Sequence, residues 1–172
     1  MIISINVFIE AQNSRDHMEL NSNRIIHHVE TFELDAHSCY EMWTTSSGLK
    51  TFFGYDNRFE LKIGGPFEVF MYKKRAKGDQ GSEGSRILSF VPDKMISISW
   101  VAPPKFKELR KLGPQTWITV FFESVDQGTS ISIYHQGWPD DEKWNKLHEY
   151  YSHVWGFVLN SFGKAVQARS EN

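Results

Sequence analysis

The chain has 172 residues, 40% hydrophobic and 15% aromatic, with a formal net charge of -2. That size and apolar content fit one domain with a sizeable core, and the near-neutral balance provides no field to draw in nucleic acid or an anionic membrane surface. The one cysteine, Cys39, cannot close an internal disulfide and suits a reducing compartment; no apolar run approaches the roughly 20 residues of a membrane span, so a cytoplasmic protein is expected.

Met1 to Ile9 is apolar but lacks the basic flank and small-residue cleavage site of a secretory signal. Residues 1–23 read as a peripheral or disordered extension ahead of one domain over residues 24–168. Arg24 to Leu34 has strand-type composition, with Ile25, Ile26, Val29, Thr31 and Phe32 and no helix period. Asp35 can cap a short helix through Trp43, and Thr45, Ser46 and Ser47 a second through Phe52, which Gly54 stops.

From Phe59 the apolar period becomes two: Phe59, Leu61 and Ile63, a Gly64, Gly65 corner, then Phe67, Val69 and Met71. The segment from Lys73 to Gly84 mixes lysines and glycines. It reads as a solvated turn, because phosphate-cradling loops lead into a helix and this one leads into the strand Arg86 to Phe90. Ile96, Ile98 and Trp100 alternate with serines as in a half-buried antiparallel strand. Pro103 to Pro114 is too long for a tight turn and is either a flap or a floppy loop. Trp117 to Glu123 and Thr129 to Gly137 complete the strands.

The longest regular pattern comes last. Trp144, Leu147, Tyr151, Val154, Trp155, Val158, Leu159, Phe162 and Val166 recur at steps of three and four, which predicts an amphipathic helix over Asp141 to Val166. Pro139, Asp140, Asp141 and Glu142 suit its N-terminus. The fold class is therefore α+β: six or seven antiparallel strands, two short helices after the first strand, and one long C-terminal helix that needs an apolar partner of matching length.

Several local patterns, in this order, resemble the START-like (SRPBCC, birch-pollen-allergen-like) superfamily, and within it the branch homologous to activator of heat-shock-protein ATPase. They are Tyr40 to Trp43, Gly48 with Leu49, Phe52 to Gly54, Gly64 to Phe67, Gly84 through Pro92 to Trp100, Gly128 with Thr129, His135 to Trp138, and Trp155 to Leu159. The resemblance implies a helix-grip fold, in which a curved antiparallel sheet wraps the long helix and leaves a cavity. It implies no single activity. Members look like small-molecule binders, stress-related or co-chaperone-like proteins and a few enzymes, so no catalytic residue carries over.

His135 is in phase with Ile131 and Ile133, His148 lies within about 40° of Trp144 on the apolar stripe, and Tyr151 is near the stripe's centre. Three polar tips thus face one interior, although any one alone is more simply a core group satisfied by a backbone carbonyl. With Phe53, Phe67, Val69, Trp100, Trp144 and Trp155 they form the expected lining of an apolar pocket with a few orienting polar groups. No metal site is expected: His27 and His28 point to opposite faces, and His148 and His153 diverge by about 140°. No cofactor is expected either.

The expected function is a non-enzymatic binding domain for a small hydrophobic or aromatic ligand, as a monomer or homodimer, with Pro103 to Pro114 as flap. One alternative is a stress-response or co-chaperone-like module acting on a chaperone ATPase through the Phe106, Leu109, Arg110 loop. Another is an enzyme on lipid-like or polyketide-like substrates that uses His135 and His148 as acid and base.

Overall fold

The computed structural model describes residues 24–170, so the expectation for residues 1–23 lies outside the described residues. The first strand, β1 (Ile26–Phe32), sends Ile26 and Phe32 inward. The next two elements begin at the capping residues expected. The Asp35 carboxylate accepts the Ser38 N–H at 2.9 Å and opens α1 (Ala36–Thr44), and Thr45 Oγ1 accepts the Gly48 N–H at 3.1 Å and opens α2 (Ser46–Phe52). Gly48 lies directly against the Met42 backbone, where a β-carbon has no room.

The remaining strands are β2 (Asp56–Phe59), β3 (Phe67–Phe70), β4 (Ile87–Val91), β5 (Met95–Trp100), β6 (Thr116–Val125) and β7 (Gly128–Gln136). Five form one antiparallel sheet in the order β1-β7-β6-β5-β4, while β2 pairs with β3. Bridges from Pro66 to Arg86 and Phe70 to Gly81 carry β3 across to the chain entering β4. β6 and β7 set the two faces: Ile118, Val120, Phe122, Thr129, Ile131, Ile133 and His135 point inward. Trp117, Phe121, Ser132 and Tyr134 point outward, with Tyr134 stacked on His27 of β1 at 4.2 Å.

A 3₁₀ turn (Glu142–Trp144) precedes the long helix α4 (Asn145–Ser170). The helix therefore starts four residues later than its pattern predicts, because the Asp141 carboxylate caps the tighter turn through the Lys143 N–H. It also runs four residues beyond Val166. Leu147, Tyr151, Trp155, Val158, Leu159, Phe162 and Val166 are buried against the inner face of the sheet. This is a helix-grip fold. No helix among the described residues is long and apolar enough to cross a membrane.

Two strand predictions run too long. β2 ends at Phe59; Leu61 and Ile63 lie in the following turn, 38% and 73% exposed, where Lys62 and Gly65 bond locally to Glu60 and Lys62 carbonyls. β3 ends at Phe70, and Met71 is exposed as its N–H turns to the Gln80 carbonyl. Period two continued in the sequence after the ladder had run out of partners.

The Pro103 to Pro114 segment is not floppy. It contains a short helix, α3 (Lys107–Lys111), with Leu109 buried. Arg110 donates to the carbonyls of Ala102 (2.7 Å), Gly81 (2.9 Å) and Gly78 (3.1 Å), and to Glu83 Oε2 (2.8 Å). The Glu83 carboxylate in turn accepts the N–H groups of Gly78, Gln80 and Gly81. The Arg110–Glu83 ion pair, joined by Asp79 at 3.6 Å from the Arg110 Nε, thus clamps the glycine-rich turn of residues 73–84 to the α3 loop.

Candidate functional site

The side chains expected to line a pocket converge between β3, β5, β7, α2 and α4. Phe53 stacks on Trp100 at 5.9 Å and meets Phe67 and Trp155 edge-on. Trp100 meets Trp155 at 5.2 Å, Tyr151 stacks on Trp155 at 5.7 Å, and His135 packs on Tyr151 at 4.7 Å. Val69 and Trp144 are buried in the same core. His148 is the outlier. It is half-buried, meets Trp138 at 4.9 Å, and aims Nε2 at the Arg24 carbonyl.

The polar atoms of this cluster form a chain whose protonation follows from chemistry. The Trp155 indole N–H can only donate, and it lies 3.0 Å from His135 Nδ1, so Nδ1 accepts and Nε2 carries the proton. Nε2 then donates to Thr116 Oγ1 at 2.8 Å, and Thr116 donates on to the Trp100 carbonyl. Trp100 donates to Tyr151 OH, which donates to the Val101 carbonyl. Trp138, which the sequence reading did not place in the site, donates to the His135 carbonyl.

Burial, and secondarily the charge of His148, holds the His135 pKa well below the ordinary histidine value. Burial also lowers that of His148, outweighing its bond to the Arg24 carbonyl. Below about pH 6.5 the unfolded chain protonates both while the native protein resists, so the unfolded state binds more protons and stability falls as pH drops. The slope from His135 is at most about 1.4 kcal/mol per pH unit, with less from the more exposed His148. Exposed His37, its pKa raised by Asp93, works the other way. Urea midpoints should therefore be lower at pH 5.5 than at 7.5. His135→Gln, which can also accept and donate, should flatten the difference; an unchanged slope would place the effect elsewhere.

Among the hollows on the surface of the described residues are four of about 850, 560, 440 and 370 Å³. The largest lies on the outer face of the sheet around Ile25, Phe121 and Tyr134. Of the nine expected lining residues only Phe53 reaches any of the four, in the hollow between α2 and α4. Inside, the rings touch across the space between sheet and helix.

The family described as Activator of Hsp90 ATPase homolog 1-like protein matches residues 34–167. The chain belongs to that family. Among solved structures, protein MLL2253 from Mesorhizobium loti superposes with a TM-score of 0.67 at 11% identity, covering 84% of this chain and 97% of its own. The Aha1 dimer from Colwellia psychrerythraea gives 0.65 at 18%, covering 83% and 95%. DynU16, a putative protein in the dynemicin biosynthetic locus, gives 0.60 at 10%, covering 84% and 47%. No curated protein matches the sequence. Membership of the Hsp90-activator-like family accords with the helix grip and with the resemblance read in the sequence.

Proposed function

We propose that residues 24–168 form a binding domain for a small, mostly apolar or aromatic molecule, held between the sheet and α4 with Phe53, Phe67, Val69, Trp100, Trp144, Tyr151 and Trp155 around it. The observation that carries this reading is a set of buried polar atoms without partners among the described residues: Tyr40 OH, Trp43 Nε1, Asn57 Oδ1 and Ser85 Oγ. Native interiors leave few such atoms, and each costs about 1–3 kcal/mol. Trp43 packs on Phe53, the ring that also stacks on Trp100, so one orphaned donor borders the aromatic lining. An indole N–H can only donate, which favours a ligand bearing a neutral hydrogen-bond acceptor.

The acid–base reading of His135 has less to support it. Both ring nitrogens are committed to Trp155 and Thr116, so acting as a base requires breaking the bond to Trp155. An interaction module acting on a chaperone ATPase, or a homodimer, is favoured instead by the outer sheet face, where Ile25, Val29, Phe121 and Val125 are 41–51% exposed.

Native mass spectrometry of freshly purified protein, followed by denaturing extraction, tests the primary reading. A discrete added mass supports it, as does a tryptophan-emission response to a panel of fatty acids and natural-product-like aromatics. A bare mass with no emission or melting response across that panel removes it.

A further inference from the structure

Beside the stripe that α4 buries against the sheet lies a second apolar set, in which Tyr150 and Val154, the latter expected in the buried stripe, are half-buried at the edge of the core and Phe157 is exposed. Tyr150, Val154 and Phe157, spaced four and three, lie roughly 80 to 140° around the helix from the buried stripe. With Phe106 from the loop before α3 they line the hollow of about 370 Å³. Phe106 packs on Tyr150 at 5.7 Å, so the floor is already formed. Phe157 stands at the edge, 72% exposed.

The rim is basic. Lys105, Lys146 and His153 border the hollow against one carboxylate, Glu149. Lys50, Lys62, Lys111 and Lys143 each hold a carboxylate at 2.9 Å or closer, whereas among the described residues neither Lys105 nor Lys146 forms an ion pair. The Lys105 ammonium sits 3.5 Å from the centroid of the Tyr150 ring, which holds it beside the groove. On a chain of net charge -2, two lysines without ion pairs against one carboxylate make a local positive excess beside half-buried Phe106 and Tyr150 and exposed Phe157.

We infer that this groove docks an acidic amphipathic segment of a partner protein. A large apolar side chain of the segment seats against Phe106, Tyr150 and Phe157, and its Asp or Glu side chains meet Lys105 and Lys146. Apolar anchors at helical spacing suit a helix laid in the groove, and the opposite charges speed encounter and fix register. A planar anionic bilayer fits less well, since Phe106, Tyr150 and Val154 are half-buried and only Phe157 projects far enough to meet a flat surface. The docking surface lies outside the sheet–helix interior and does not depend on whether that interior binds a ligand.

The test is fluorescence anisotropy with a fluorescein-labelled helical peptide that carries Leu and Phe at i, i+3, i+4 and i+7 and Glu elsewhere. The protein should bind it with an affinity that weakens as salt rises. Combined Lys105→Glu and Lys146→Glu should weaken binding by about tenfold or more and gain affinity for the matching Lys peptide; Phe157→Ser should also weaken binding. All three residues are exposed, so melting temperatures should stay unchanged. The inference is overturned if the acidic peptide does not bind, if charge reversal leaves its affinity unchanged, or if phosphatidylserine vesicles bind instead with the same lysine dependence.

Discussion

Trp155→Ala should lower the free energy of unfolding by about 3–5 kcal/mol, the range for deleting a large aromatic side chain from a packed core. Trp155 is wholly buried and touches Trp100, Phe53, Tyr151 and His135. Truncation opens a void between the sheet and α4 and also strands the His135 Nδ1 acceptor, an additional cost of about 1–3 kcal/mol that places the result toward the top of the range. Trp155→Phe separates the two contributions by keeping a ring and losing the donor; it should cost less than half as much. Denaturant titration with an unchanged m-value is the measurement. A loss below about 1 kcal/mol for the alanine variant would show that α4 is not the spine of the fold.

Arg110→Gln should act locally and strongly. The Arg110 and Glu83 side chains are only 11% and 15% exposed, and removing one partner of such a pair leaves the other charge buried and unbalanced, at about 3–5 kcal/mol. The global midpoint should move less, because the clamped loops can open without unfolding the sheet. Amide exchange over residues 78–83 and 103–113 should accelerate by about a hundredfold or more, since each 1.4 kcal/mol is tenfold. Acid should mimic the substitution. Burial pushes the Glu83 pKa up, but the Gln80 and Gly81 N–H groups and the Arg110 charge outweigh it and leave it below the ordinary glutamate value. The clamp is therefore intact at neutral pH and is lost as pH falls below that value. Equal exchange in wild type and variant would show that the two loops are held by something else.

The parts of the fold legible in the sequence are those where one local rule acts alone. Asp35 and Thr45 cap helices through bonds three residues away, and the α4 stripe needs only the helical period. Leu61 and Ile63 misled because alternation reports a pleat and cannot report where the partner strand stops. The buried aromatic cluster between sheet and α4 was legible too, since Phe67, Trp100 and His135 share inward phase with their neighbours. What could not be read was the wiring. Arg110 looked like a surface cation, and its partners Gly78, Gly81 and Glu83 lie in a turn that composition alone marks as solvated. Nor does a sequence say which polar tips go unpaired: Tyr40 and Trp43 carry the best hint of a ligand, yet the reading of polar groups settled on His135, His148 and Tyr151.

The sheet order also bears on how the chain is made. Among the described residues β1 has a single neighbour, β7, in a register that pairs Ile26 with His135. β1 must therefore wait for nearly the whole domain before it can pair with β7, and at about 5–20 residues per second that delay is several seconds. During it Ile118, Val120, Ile131 and Ile133 have no helix to cover them, because α4 is translated after every strand. Such non-local pairing gives a high contact order and slow closure. Folding of this domain is thus expected to be completed only once α4 has left the ribosome, and a ribosome-stalled chain ending before α4 should be protease-sensitive throughout its sheet.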